Sequence, residues 1–352
     1  MRFAFSLEQQ ALRDAVRDLL GRACPPAVVR AAWGADDDAA PALWPQLARM
    51  GVVGMTAPER WGGLGLGELE LVGVLEEAGH AALPAPLLET TAVAIPLLAA
   101  LPDGPVVDGV RDRWLGAAAA GRAVIAVGLA GAPFVADAAR AALLLLERDG
   151  ELHAVPRDAA WLTAEASVDG ARRLAWVDWT PSAATRVATG DVARDAAARA
   201  LDRGAVAAAA ELCGLGRRMI ELTVDHVQVR HQFGRAIGSF QAVKHHLADA
   251  HAALELARPC VARAAYALAH DEPGTAVHAS LAKAHAGDAA RRAGRAALQC
   301  HGAIGYSFEH DLHLFMKRAW ALAAAWGDAA WHRARIATAV LDHDAAPGAF
   351  HA

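Results

Sequence analysis

Arg230-His231-Gln232-Phe233-Gly234-Arg235-Ala236-Ile237-Gly238-Ser239-Phe240-Gln241-Ala242-Val243 is a polar, glycine-bearing break between two stretches of helical periodicity. Upstream of it, Leu201, Ala205, Ala208, Leu212, Leu215, Met219 and Leu222 recur every three or four residues, the stripe of a helix packed along one side. Downstream, Leu247, Leu254, Val261 and Leu268 form a regular repeat with Ala250, Ala257 and Ala264 between them, a seam for a partner helix. Pro259 lies within that seam and predicts a bend, because proline removes a helix hydrogen bond. Two further helices, about 275–300 and 309–342, complete an expected four-helix bundle. The break is longer than a bundle turn requires, and its residues alone fit a capped interhelical loop as well as a binding loop. A second break, Gln299-Cys300-His301-Gly302-Ala303-Ile304-Gly305-Tyr306-Ser307-Phe308-Glu309, also carries glycines where backbone could approach a ligand closely.

Toward the N-terminus, residues 6 to about 120 read as helices. Ser6 is an expected N-cap, followed by a Leu7, Leu12, Val16, Leu19, Leu20 stripe. A helix is expected over Ala42–Met50, a loop at Pro58-Glu59-Arg60-Trp61-Gly62-Gly63-Leu64-Gly65, and helices over Glu68–Gly79 and Leu87–Leu98. From about 122 to 190 the texture changes to short apolar runs, Ala123–Val127, Ala141–Leu146, Leu152–Val155 and Leu174–Val177, which predict strands. Asp149-Gly150 between two of them predicts a hairpin turn. The expected fold class is mainly α with a small middle β domain. Its segments are an N-terminal all-helical domain at 1–121, a shortened barrel-like β domain at 122–190 and a C-terminal four-helix bundle at 191–352.

Composition excludes several functions. Apolar residues make up 55% of the 352 and charged residues only 21%, which supports a large core and argues against disorder. The net charge of −5 gives no electrostatic footprint for nucleic acid. No apolar run approaches the roughly 20 residues that a membrane helix needs, so no membrane partner is expected. The N-terminus lacks the basic-then-apolar order of a signal peptide, and Cys24, Cys213, Cys260 and Cys300 form no C-x-x-C pair. A cytoplasmic protein is expected. The histidines show no H-E-x-x-H motif; His245, His246 and His301 read as helix-surface or loop groups, and no metal site is expected.

Together the two breaks resemble the acyl-CoA dehydrogenase family, whose C-terminal bundle carries an R-x-x-F-G loop ending in glutamine and then a Q-x-x-G-G-x-G-Y-x-x-E loop. Pro58–Gly65 and Glu76-Glu77-Ala78-Gly79 are similar to the family's N-terminal P-E-x-x-G-G-x-G and E-E-x-G signatures. The resemblance spans nearly the whole chain and is strongest from 200 to 320. It implies FAD shared across a subunit interface, with the adenosine diphosphate half held by Arg230, Gln232, Phe233, Gln241 and Gln299 and the backbone at Gly302 and Ala303. A guanidinium forking onto pyrophosphate oxygens, with exposed N–H groups beside it, suits that half. Ala303 replaces a family glycine.

The half of the site that performs the reaction departs from the family. The glutamate that removes the α-proton of a fatty acyl-CoA is replaced by Trp326 in Trp326-Gly327-Asp328, and the alternative position on the first bundle helix is Gly204. An indole N–H is a donor with no basic lone pair, and losing a general base typically removes about 10²–10⁴-fold in rate. The family's T-E-P-x-x-G-S-D segment has no counterpart between Gly121 and Asp191, where Ala130-Gly131-Ala132-Pro133 is the nearest echo. Trp161-Leu162-Thr163 could be a relic of a W-x-T/S segment, but it reads better as core. Asp202, Glu211 and Asp328 are the carboxylates near the lost base positions, and they read as solvated helix charges or caps.

The resemblance therefore implies a subunit that pairs with a catalytically complete homologous acyl-CoA dehydrogenase, as in heterotetrameric steroid side-chain β-oxidation dehydrogenases. The acyl-CoA would be a bulky steroid thioester and an electron-transfer flavoprotein the acceptor. The alternatives are a self-sufficient homo-oligomeric dehydrogenase using Glu211 or Asp202, and a structural or regulatory partner that binds no nucleotide. A flavin monooxygenase of the same fold ranks last.

Overall fold

The computed structural model describes residues 4–34 and 43–341. Ala42 and Asp342, the expected start and end of two helices, lie outside the described residues. The chain folds as N-terminal helices, a middle β segment and C-terminal helices. Its two compact units are non-contiguous: Met1–Arg30, Val72–Leu83 and Ala205–Ala352 form one, Ala31–Leu71 and Pro84–Gly204 the other.

In the first unit, α1 (Leu7–Ala23) begins at Ser6 with a capping box. The Gln9 N–H donates to Ser6 Oγ at 3.2 Å and the Ser6 N–H donates to Gln9 Oε1 at 2.8 Å, so two otherwise orphaned donors are satisfied. Helix α4 (Glu68–His80) crosses the long helix α7 (Gly190–Val229) through two glycines. A Cβ on Gly79 would lie 2.0 Å from the Glu211 carbonyl oxygen, and one on Gly214 would lie 1.9 Å from that of Glu76. The E-E-A-G signature is thus a packing device. Beside the crossing, buried Glu77 accepts from Arg17 at 2.8 Å and from Arg217 at 2.6 Å. Burial opposes its charge, but these two guanidiniums outweigh that and hold the carboxyl below its usual range.

Helices α8 (Gln241–Ala269) and α9 (Thr275–His301) are the antiparallel heart of the C-terminal bundle. Ala250, Leu254, Ala257, Val261, Ala264 and Leu268 are buried along α8, as the seam predicted. Helix α8 runs unbroken through Pro259, which lies on the exposed face where water can satisfy the freed carbonyl. The last expected helix is in fact two, α10 (Leu312–Ala324) and α11 (Ala329–Leu341), separated where Trp326 and Gly327 take φ of 57° and 87°. Tertiary contacts stabilise that break. Fully buried Lys283 donates to the carbonyls of Ala323 at 3.0 Å and Gly327 at 2.9 Å. His332, also fully buried, donates from Nε2 to Trp326 O at 2.9 Å, and its Nδ1 lies 3.0 Å from Ser280 Oγ.

The second unit contains α2 (Pro26–Ala31) from its last residue onward, α3 (Leu43–Arg49), and a π-helical turn, Leu88–Ala94, that runs into α5 (Ile95–Ala100) and is followed by α6 (Pro105–Ala119). Every residue of the π turn is buried. Thr90 Oγ1 donates to Ile125 O at 3.0 Å and Thr91 Oγ1 donates to Val53 O at 2.8 Å, which ties the turn to the first strand and to the preceding loop. In the Pro58–Gly65 loop, a Cβ on Gly63 would meet Ala57 O at 2.0 Å, so only glycine fits there.

One sheet is ordered β1 (Ile125–Gly128), β3 (Leu143–Arg148), β4 (Glu151–Pro156), β7 (Arg186–Thr189), and the other β2 (Val135–Ala136), β6 (Leu174–Trp179), β5 (Ala160–Glu165). Strand β1 pairs parallel with β3, and β3–β4 is the expected hairpin. Its turn residues Asp149 and Gly150 have φ of 53° and 76°. Strands β2, β5 and β7 had no apolar run long enough to announce them. The two sheets share one core that includes Ala126, Leu144, Val155, Val135, Ala175 and Trp179. Trp161 does not join it: the side chain is 83% exposed on edge strand β5, because Ala160 and Leu162 take the core face. The core reading of Trp161 is therefore corrected.

Candidate functional site

Helix α7 ends at Val229, and the break that follows folds into a two-residue hairpin, β8 (His231–Gln232) against β9 (Arg235–Ala236). Both turn residues have positive φ, Phe233 at 53° and Gly234 at 78°. Such a turn needs φ above zero at both positions, which glycine, asparagine and aspartate accept and phenylalanine accepts only at a cost of roughly 1–2 kcal/mol. The strained phenylalanine is also 91% exposed. Its ring meets Phe240 edge-on with centroids 6.1 Å apart, and the Arg235 guanidinium carbon lies 4.1 Å over Phe240. The base of the loop is closed by Ile237 N–H donating to Arg230 O at 2.8 Å and by Ser239 Oγ donating to Ala236 O at 2.7 Å.

Arg230, Gln232, Phe233 and Gln241 are all solvent-exposed on this loop and the start of α8. Gln299, near the end of α9, and Gly302 and Ala303, just past it, are exposed as well. Gly302 terminates α9 with φ of 64°, the left-handed conformation that favours glycine, and its N–H donates to Leu298 O. Ala303 has no left-handed φ, so alanine in place of the family glycine is accommodated without strain. The two loops approach one another through their helix ends: the rings of His226, one turn before Arg230, and His301 stack with centroids 4.3 Å apart. His301 is 6% exposed, not the surface or loop group that the sequence predicted, because the stack and the end of α9 enclose it. His245 and His246 lie exposed on α8.

At the two positions where the resemblance implied a catalytic base, Trp326 sits partly buried in the α10–α11 break, and Gly204 lies buried within α7. Asp328 is an exposed cap whose Oδ1 accepts from Trp331 N–H at 2.8 Å. Asp202 and Glu211 are 6% and 7% exposed, so the expectation that they are solvated charges is corrected. Residues 204–216 of α7 are buried on almost every side, so carboxylates on opposite faces of this helix are both enclosed. Among the described residues no group of three His, Cys, Asp or Glu could hold a metal ion, and no helix is long and apolar enough to cross a membrane.

The sequence reading missed Lys283, Ser280 and His332, which stabilise the break at Trp326, and the partners His226 and His310 of the buried His301. Lys283 had one local signal: it is one of only three lysines and stands inside an apolar run. The histidines had none, since they lie on different elements.

Family models for the acyl-CoA dehydrogenase N-terminal domain and C-terminal domain match residues 6–122 and 194–341. Acyl-CoA dehydrogenase IpdE2 of Mycobacterium tuberculosis is 35% identical over 315 residues, covering 89% of this chain and 91% of that protein. The ChsE4–ChsE5 complex of M. tuberculosis contains a chain that superposes with a TM-score of 0.86 at 25% identity, over 97% of this chain and 99% of that one. A variant of the steroid acyl-CoA dehydrogenase Tcur3481–Tcur3483 superposes with a TM-score of 0.84 at 23% identity, over 96% and 99%. With both terminal domain models matched in order and a relative aligned over most of its length, the chain belongs to the acyl-CoA dehydrogenase family.

Proposed function

We propose that this chain is the non-catalytic subunit of a hetero-oligomeric acyl-CoA dehydrogenase, supplying the adenosine diphosphate half of a site whose flavin ring is held by a catalytically complete homologue. The residues present fit that half of FAD. Arg230 offers a forked cation, Phe233 an exposed ring, Gln232, Gln241 and Gln299 exposed amides, and Gly302 a backbone without a side chain. When bound, FAD supplies the hydride acceptor for α,β-dehydrogenation. The observation that supports the reading best is Trp326: where the motif resemblance implies the α-proton acceptor, this chain has an indole, in a backbone break stabilised by Lys283 and His332. A donor-only side chain in that position takes no proton.

The substrate class is a bulky steroid-CoA thioester and the electron acceptor an electron-transfer flavoprotein, both reached through the complex in the cytoplasm. Support comes from relatives described as steroid dehydrogenases or as two-protein complexes. Flavin counting tests the reading. The full-length chain is purified alone and after co-expression with a homologue that keeps the glutamate. Little flavin alone, FAD in the complex and loss of that FAD in Arg230→Ala are expected; stoichiometric FAD in the isolated chain overturns it. Retention of FAD by the Arg230→Ala complex would instead favour a partner that binds no nucleotide.

The burial of Glu211 and Asp202 favours a second reading, a self-sufficient homo-oligomeric dehydrogenase with an unconventional base, since buried carboxylates are the ones tuned for proton transfer. Flavin bleaching by acyl-CoA with this protein alone, abolished in Glu211→Gln or Asp202→Asn, would establish it.

A further inference from the structure

His226 on α7, His301 at the end of α9 and His310 in the loop before α10 form a three-ring cluster beside the two loops just described. The His226 and His301 rings stack at 4.3 Å, His310 meets His301 edge-on at 4.6 Å, and His226 and His310 lie 6.5 Å apart. His301 is the interior member. Its Nδ1 donates to Ala297 O at 2.8 Å, which leaves Nε2 as an acceptor, and that buried nitrogen has no hydrogen-bond partner among the described residues. His310 Nδ1 accepts from Leu312 N–H at 3.1 Å, so its remaining proton is on Nε2. The cluster is one donor short at its centre. A buried lone pair without a donor is an unfavourable arrangement in a finished core.

The charged groups that act on His226 are Arg230 and His310, and those that act on His301 are His226 and His310; Glu309 and Asp311 flank His310 in the chain. Burial lowers the His226 pKa, with His310 and Arg230 adding to the effect. Burial brings His301 down to about 4, against the hydrogen bond to Ala297 and with His226 and His310 adding. Among the described residues no carboxylate acts on His226 or His301. Three close imidazoles beside an arginine repel an added proton, and an anion placed at Arg230 removes that repulsion.

We propose that the His226–His301–His310 cluster is a proton-linked anion site: docking of a pyrophosphate-bearing nucleotide on the Arg230 and Gly302 loops draws a proton from solvent onto the cluster. The proton satisfies the orphaned lone pair on His301 Nε2 and the anion supplies its counter-charge, so each stabilises the other. This inference rests on the proposed nucleotide-binding role of the loops. By linkage, affinity rises as pH falls through the bound-state pKa and levels off below the free-state pKa.

The test is isothermal titration of FAD into the FAD-depleted, full-length assembly in two buffers of different ionisation enthalpy, from pH 8 to pH 6. The FAD pyrophosphate diester stays ionised throughout, so proton exchange reports on the protein. Net uptake approaching one proton per site is expected, with binding about three- to tenfold tighter per pH unit. His226→Gln and His310→Gln, checked for folding by circular dichroism, lose the pH slope. FAD binding with no proton uptake, or a slope unchanged in both variants, overturns the inference while the Arg230 reading stands. Failure of the assembly to bind FAD at any pH overturns both.

Discussion

At the scale of single residues, Phe233 and Trp326 are informative because each takes a left-handed backbone that its side chain disfavours. Phe233→Asn should relax the β8–β9 turn, raising stability by about 1 kcal/mol in thermal melts, and weaken FAD retention by the complex if the exposed ring is a contact. Trp326→Glu should restore no acyl-CoA oxidation to the isolated chain, since a base without an adjacent flavin has no hydride acceptor; measurable turnover would contradict the proposed division of labour. The glutamine and arginine positions of the loops were legible from their motif. The buried histidine cluster was not, because no local pattern links residues that meet only after α7 and α9 pack.

At the scale of elements, identical substitutions have opposite effects. Gly79→Ala would drive a methyl group to 2.0 Å from Glu211 O and separate α4 from α7, a loss of about 3 kcal/mol or more. Gly287→Ala, inside α9 with nothing within 4 Å of the added carbon, should stabilise by about 0.5–1 kcal/mol through better helix propensity. Calorimetric melting of the two variants checks both signs; destabilisation by Gly287→Ala beyond experimental error would refute the assignment of free space. Helices α1, α7 and α8 could be placed from apolar spacing, and the Asp149-Gly150 hairpin from turn chemistry. The division of the last helix into α10 and α11 could not, because the contacts that stabilise the break include Lys283 and Ser280 on α9, an element distant in sequence.

At the scale of the whole molecule, two buried histidines couple stability to pH. Burial holds His332 at about 4, opposed by its hydrogen bond to Trp326 O, and His301 is likewise at about 4. Each is neutral in the fold and protonates more easily when unfolded, where its pKa is about 6.5. Their stabilisation is therefore complete above pH 6.5 and is lost as pH falls from 6.5 toward 4, at roughly 1–3 kcal/mol each. Chemical denaturation at pH 7.5 and pH 5 should show this loss, and His332→Gln should flatten the slope even though it lowers the starting stability. A pH-independent free energy over that window would show the histidines to be hydrated. What the sequence alone determined was the family and the order of helical and β segments, because these are written in local spacing and residue chemistry. Only the tertiary structure decided that Trp161 lies outside the core, that Asp202, Glu211 and His301 lie inside, and that Trp326 occupies a helix break, because burial and long-range hydrogen bonds depend on which distant segments meet.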